Sequence, residues 1–266
     1  MAQDIPGLDL RILPRHWEKI GQVLVLRVPD SLLPWREAIA QIYARVLRAT
    51  TVVQDHARIR GPWRVPEIER IWGGGTETVH VENGIRFKLD VAKVMFSSGN
   101  LRERIRMAGV GRPGETVVDL FAGIGYFSLP LAVHGHPARV VSCEVNPAAF
   151  HFLQENTRLN RAGVVEPRFG DCRDVAPAGV ADRVILGHFD ADKFLDVAFR
   201  AAKDRVTIDL HTLIHEGRAE SDSIENRLTR EGARHRFGLV RSSTHHVKDY
   251  GPHVRHIVTD AEFVRK

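Results

Sequence analysis

The stretch VVDLFAGIGYFS, residues 117–128, decides how the rest of the chain is read. An apolar run ends in Asp119, two glycines follow two apart, and a helix-like segment begins. A buried strand that turns on glycines into a helix is the opening unit of a parallel α/β sheet. Asp119 falls at the carboxyl end of that strand, and Gly123 and Gly125 free the backbone to approach a ligand. Working outward, the same alternation repeats. ARVVSCEVN is a second strand, and PAAFHFLQENTRLNRAG is a helix with Pro147 in its first turn and Gly163 past its end. VVEPRFGD, ADRVILGHF and DRVTIDLHTLI are three more strands, with a helix DADKFLDVAFRAA between the last two. Strands and helices in alternation require crossovers, so a largely parallel sheet with helices on both faces is expected. Two strand-like runs in the tail, 234–266, suit an antiparallel hairpin closing that sheet.

Before residue 93 the pattern is different. A strand-like run lies within 17–28, and SLLPWREAIAQIYARVLRA reads as an amphipathic helix with Ser31 as its N-cap. TTVVQD is a strand, and TETVHVENGIRFKLD is a hairpin turned by Asn83-Gly84. The expectation is a small α/β domain over 1–92 and a ligand-binding domain over 93–266.

Composition narrows the function. The chain has 266 residues, 43% of them hydrophobic and 27% charged, which is ordinary for a folded protein with a real core. An excess of +5, mostly arginine, and a pI of about 9.5 suit a nucleic-acid partner. Two cysteines, Cys143 and Cys172, are too few for a disulfide framework or a four-cysteine zinc site. No apolar run nears the roughly 18 residues of a membrane span. The first fourteen residues show no signal-peptide pattern, and a cytoplasmic location is expected. His211 and His215, and His253 and His256, have ligand-like spacings, but no acidic or cysteine partner completes a set, and no metal is expected.

The ligand is read from three strand ends. A dinucleotide motif requires a third glycine where this chain has Ser128, and Asp119 would repel a pyrophosphate. A cofactor with a positive amino-acid end would accept it. Glu144 ends the second strand, where it can take both ribose hydroxyls. Asp171 ends the third, where it can bond an adenine amino group, with Cys172 packed by the ring. This set points to S-adenosylmethionine, and Phe121 inside the motif belongs with it.

At this point the sequence resembles a known family. MFSSGNLRERIRMA, VVDLFAGIGYFSLPLAVHG, CEVNPAAFHFLQENTRLN, FGDCRD, ADRVILGHF and VKDYGPHVRHIV are similar to wyosine-pathway enzymes. These move the 3-amino-3-carboxypropyl group of S-adenosylmethionine to a tricyclic guanosine next to the tRNA anticodon. Their relatives are the archaeal and eukaryotic tRNA guanine-N1 methyltransferases. The resemblance runs from about residue 75 to 260 and is weak over the first 70 residues. It implies an α/β, Rossmann-like class I S-adenosylmethionine-dependent transferase domain behind a small N-terminal α/β domain. The methyltransferases have F-S-P-R-L where this chain has FSSGN, with Gly99 in the arginine's place and Asn100 after it. They have an N-P-P-Y-like motif where this chain has LGHF, which includes Gly187 and His188. Both departures are those of the aminocarboxypropyl branch. The resemblance implies that Ser97 and Arg104 contact the methionine end of the cofactor, and that Glu144, Asp171 and Cys172 hold the nucleoside. Cys172 stands where relatives often have asparagine. Asn100, Gly187 and His188 are implied on the acceptor side. For the tRNA, Lys248, His253 and Arg255 are phosphate contacts and Tyr250 a base-stacking residue. The helix LRERIRMAGVGR and the stretch ARIRGPWR, 57–64, are further phosphate-facing candidates. The alternatives are a tRNA (guanine-N1)-methyltransferase, a non-catalytic binder of tRNA and S-adenosylmethionine, and, remotely, an NAD oxidoreductase.

Overall fold

The computed structural model describes residues 10–61, 63–215 and 223–266, so the first nine residues and Pro62 of the 57–64 stretch lie outside it. The chain forms two compact units, Met1–Ser98 and Gly99–Lys266.

In the first unit a strand β1 (Trp17–Ile20) precedes the strand-like run within 17–28, which is β2 (Val23–Leu26). The chain reverses between them at Gly21, with φ of 55°. A Cβ on Gly21 would lie 2.3 Å from the Thr78 hydroxyl, so both the turn and its packing require glycine. Helix α1 (Arg36–Leu47) starts later than expected. A 3-10 turn, Asp30–Trp35, precedes it with Pro29 at its cap, and Ser31 caps nothing. Pro34 is the physical reason, because it disfavours the helical backbone of the residue before it. Strand β3 (Thr51–Arg60) runs parallel to β2, and β4 (Val65–Gly73) pairs antiparallel with β3. The sheet order is β1-β2-β3-β4. Strand β4 is an addition to the sequence reading. Its glutamates and arginine hide the apolar pattern, and Pro66 is tolerated because β4 is an edge. The hairpin of β5 (Glu77–Glu82) and β6 (Ile85–Asp90) turns at Asn83-Gly84 as read.

The second unit is the Rossmann-like α/β domain. Its strands are β7 (Thr116–Asp119), β8 (Arg139–Glu144), β9 (Val165–Phe169), β10 (Ala181–Leu186), β11 (Ala202–His215), β12 (Phe237–Gly251) and β13 (Val254–Arg265). The order is β12-β13-β11-β10-β7-β8-β9. The five strands from β11 to β9 are parallel, and β13 and β12 close the sheet antiparallel, as the sequence predicts. The chain leaves β7 toward β8 and β9, then returns to build β10 and β11 on the other side. The strand order therefore reverses between β7 and β10, and a ligand crevice opens at their carboxyl ends.

The connecting helices are α2 (Leu101–Val110), α3 (Ser128–His134), α4 (Pro147–Leu159), the short α5 (Cys172–Val175), α6 (Leu195–Ala201) and α7 (Ile224–Arg234). Asn146 caps α4 by accepting from the amides of Ala148 and Ala149 at 2.9 and 3.4 Å. Helix α7 escaped the sequence reading because it buries only Leu228 and Gly232. Ser223 caps it, and Gly232 lets the Phe263 ring pack close, 2.8 Å from where a Cβ would stand.

The sheet also carries a buried ionic network. Arg183 on β10 donates to Asp209 at 2.7 Å and to Glu115 at 3.1 Å. Asp209 faces Asp260 across the β11–β13 ladder, and Arg106 on α2 joins Asp260 at 2.6 Å to Glu103 at 2.8 Å. Burial holds Asp209 up at about 7, against the pull of Arg183. These pairs correct one expectation for α2. Arg104 is buried at 3% exposure and Arg106 is tied inward, so of the arginines in LRERIRMAGVGR only Arg102 and Arg112 are exposed to solvent.

Candidate functional site

The site is built at the carboxyl ends of β7, β8, β9 and β10. Asp119 is fully buried. Its carboxylate accepts from the Phe121 amide at 3.2 Å and from the Ser128 hydroxyl at 2.7 Å, and Ser142 in turn donates to Ser128 at 2.8 Å. This fixes the turn that carries the glycines. Burial pushes Asp119 up to about 6, against the pull of those two hydrogen bonds.

Gly123 and Gly125 have φ of 58° and 99°, which only glycine adopts without strain. A Cβ on Gly123 would strike the Tyr126 ring at 2.5 Å, and one on Gly125 would strike Leu129 at 2.6 Å. The glycines are thus required by the turn and its packing, as well as leaving the backbone open to an approaching ligand.

Glu144 crosses the mouth of the turn. It accepts from the Gly123 amide and from the Asn146 amide, both at 2.7 Å. A third amide, that of Val145, also bonds this carboxylate, which leaves room for one further donor. Burial raises its pKa. Asp171 caps α5 and pairs with Arg173 at 2.5 Å, which holds its carboxyl below the usual range. Arg173, in this exposed pair, is a partner the sequence reading did not foresee. Cys172 is buried, and burial drives its thiol up to about 12, so it is a neutral packing group.

An aromatic wall stands beside these carboxylates. The Phe121 ring lies 5.5 Å from His188 and 5.0 Å from Phe194. Phe189 contacts Tyr250 at 5.2 Å and His256 at 4.9 Å, which brings the loop after β10 to the end of β12. Gly187 lets the Phe127 ring fit, 2.8 Å from where its Cβ would stand. Lys248 is half-buried on β12, close enough to His256 to lower its pKa.

The structure pairs histidines that the sequence had grouped otherwise. His211 and His256 are buried and bonded to each other at 3.1 Å, and Phe127 packs on His211 at 4.7 Å. Nε2 of His211, Nδ1 of His256 and Oγ1 of Thr212 are buried with no hydrogen-bond partner. Burial keeps both rings neutral, His256 down at about 4. Forty-five residues separate the two, and only the β11–β13 ladder joins them, so no spacing rule could have found the pair. Among the described residues no cluster of three His, Cys, Asp or Glu side chains is arranged to hold a metal.

Arg104 is buried on α2, near enough to Tyr126 for its charge to bear on the phenol. The side-chain oxygen of Asn100 is buried without a partner, an acceptor open to a donor. Ser97 lies in the first unit and is half-buried. Of the expected set, the second unit joins Asp119 to Phe121 and Gly123 to Glu144 by hydrogen bonds, sets Phe121 against His188, and brings Tyr250 against Phe189 in the loop after β10. Sequence reasoning missed Tyr126, Ser128, Phe189 and Phe194. Of the aromatic ones only Tyr126 left a signal, next to Gly125 after the end of β7.

The donor set fits S-adenosylmethionine. Acidic groups at three strand ends and an orphaned buried acceptor suit an ammonium, a sulfonium and sugar hydroxyls. They are ill suited to a pyrophosphate. Among the described residues no helix is long and apolar enough to cross a membrane.

Comparison with known proteins agrees with this geometry. Residues 78–239 match the TRM5/TYW2 methyltransferase domain, and residues 1–76 match the TYW2 N-terminal domain. The second match places within a family the N-terminal stretch whose resemblance was weak by sequence motifs. The chain is 40% identical to the tRNA(Phe) (4-demethylwyosine(37)-C(7)) aminocarboxypropyltransferase of Pyrococcus horikoshii, over 98% of this chain and 93% of that one. It superimposes on the crystal structure of P. horikoshii TYW2 in complex with MeSAdo with a TM-score of 0.89 at 36% identity, covering 100% of this chain and 97% of that one. M. jannaschii TYW2 in complex with AdoMet gives a TM-score of 0.79 at 36% identity, over 94% of this chain and 100% of that one. Strand order, crevice and full-length similarity together establish that the chain belongs to the TRM5/TYW2 methyltransferase family.

Proposed function

We propose that this protein transfers the 3-amino-3-carboxypropyl group of S-adenosylmethionine to a wyosine-precursor guanosine next to the anticodon of tRNA. The observation that carries the reading is similarity along the whole chain. A transferase 40% identical over 98% of this chain carries that activity in its name, and residues 1–76 match a TYW2 domain. MeSAdo, bound in one similar structure, is what remains of S-adenosylmethionine once the aminocarboxypropyl group has left. The departures at FSSGN and LGHF support the same branch.

When bound, S-adenosylmethionine supplies a sulfonium whose methionine γ-carbon can be attacked in place of its methyl. The protein's work is then orientation, because alignment of the reacting atoms alone lowers a barrier by several kcal/mol. Glu144, at the end of β8, would accept from a ribose hydroxyl. Cys172 packs at the adenine, with Asp171 at its edge. Arg104 would hold the carboxylate end of the methionine arm, and buried Asp119 fixes the glycine turn. Phe121, Gly187, His188 and Tyr250 present the acceptor base, with Asn100 as an acceptor for one of its donors and Lys248 toward phosphate.

Two experiments test this. Mass spectrometry of tRNA nucleosides after reaction should show the gain of an aminocarboxypropyl group, and a gain of one methyl would assign the methyltransferase reading. Gly99→Arg should lower the rate of aminocarboxypropyl transfer at least tenfold. An unchanged product and rate in that variant would remove FSSGN from the argument.

A further inference from the structure

In the first unit, strands β3 and β4 run on past the sheet as a two-stranded arm. From His56 to Arg60 every residue is exposed, and the arm turns over between Arg60 and Val65. Trp63 stands at its tip with 51% of its surface exposed, and Ile59 with 46%. An exposed tryptophan on a soluble surface is a recognition feature more often than a packing one. The flanking charge has one sign. Arg58, Arg60 and Arg64 fall within residues 56–64, and no acidic residue does. Arg60 leans on Glu67 at 2.6 Å with its side chain still 71% exposed. Arg58 is exposed and has no partner among the described residues. The backbone is bent to hold this display. Ala57 and Arg64 are left-handed, with φ of 56° and 52°, and the ladder slips between Asp55 and Ile59. Such a conformation costs stability in a residue with a side chain and persists where it shapes a site.

We propose that this arm tip is an RNA-binding site. In it Trp63 stacks on an unpaired base of the tRNA and Arg58 meets a neighbouring phosphate. The chemistry favours RNA over other partners. Guanidinium forks match phosphate oxygens, and an indole between them offers a face to a base. Two apolar side chains are too few to anchor the arm in a bilayer, and a two-stranded tip is too narrow for a standard protein interface. The proposal rests on the reading that tRNA is the substrate.

The test uses the full chain and its Trp63→Ala, Trp63→Phe and Arg58→Ala variants. Binding is measured to tRNA, to a single-stranded oligoribonucleotide and to a fully paired RNA duplex, across a salt series. Circular dichroism and the thermal melt of each variant report intact folding. Trp63→Ala should weaken tRNA and single-strand binding by roughly tenfold and leave the duplex nearly unchanged, because a duplex offers no free base face. Trp63→Phe should restore most of the loss. Arg58→Ala should weaken all three and lower the slope of log affinity against log salt by about 0.7 to 0.9. Wild-type affinity for tRNA in both alanine variants would overturn the arm assignment and leave the tRNA reading standing. Failure of the wild-type protein to bind tRNA would overturn both. Unchanged tRNA affinity with loss of binding to phosphatidylserine vesicles in Trp63→Ala would reassign the tip to a membrane surface.

Discussion

Asp119 shows what a single buried carboxylate does to a ligand site. Its pKa stands at about 6 because burial disfavours the charge more than Ser128 and Phe121 favour it. A raised pKa means that this group's contribution to folding is complete below about pH 4 and is lost as pH rises through 6. Cofactor affinity runs the other way, since the ionised form attracts an ammonium and a sulfonium. S-adenosylmethionine should therefore bind more tightly as pH rises from 5 to about 7. Asp119→Asn should bind more weakly at pH 7 and lose that pH dependence, both readable by calorimetry. Gly123→Ala should lower stability by about 1–2 kcal/mol for its left-handed backbone alone, with the clash at Tyr126 added, as a denaturant titration would show. At this scale the sequence was informative where chemistry concentrates at a strand end. Asp119, Glu144 and the glycines were legible from position alone. The pairing of Asp171 with Arg173, two residues on, was not, because a capping turn and a ligand contact ask for the same residue type.

Elements show a different division. The five parallel strands were legible because strands buried on both faces are continuous apolar runs. β4 and α7 were not, since an edge strand and a polar surface helix carry thin apolar patterns. The network between strands was invisible too. Arg183, Asp209, Glu115 and Asp260 read as ordinary charges until the sheet register sets them together. Arg183→Met should destabilise the fold by roughly 3–5 kcal/mol, because it leaves Asp209 and Glu115 buried without a cation. Asp209 adds a pH signature. Burial and the facing Asp260 raise its pKa against the pull of Arg183, so its contribution is complete in acid and is lost as pH rises toward neutral. Thermal melts should fall across that window in the wild type and fall less in Asp209→Asn. The His211–His256 pair lies in the same sheet, neutral and packed under Phe127 and Phe189.

For the molecule as a whole, two units divide the chain, and the second carries the crevice. The sheet order places the switch point between β7 and β10, and the carboxylates and the aromatic wall meet at those strand ends. An aminocarboxypropyl transferase and a methyltransferase can share all of this. They differ in which carbon of one cofactor faces the acceptor, a matter of orientation that no strand order encodes. The measurement that separates them is incubation of the protein with tRNA bearing the wyosine precursor and S-adenosylmethionine labelled either in the methyl or in the carboxyl carbon. The account predicts carboxyl label in the tRNA and none from methyl. Methyl label without carboxyl label would contradict it.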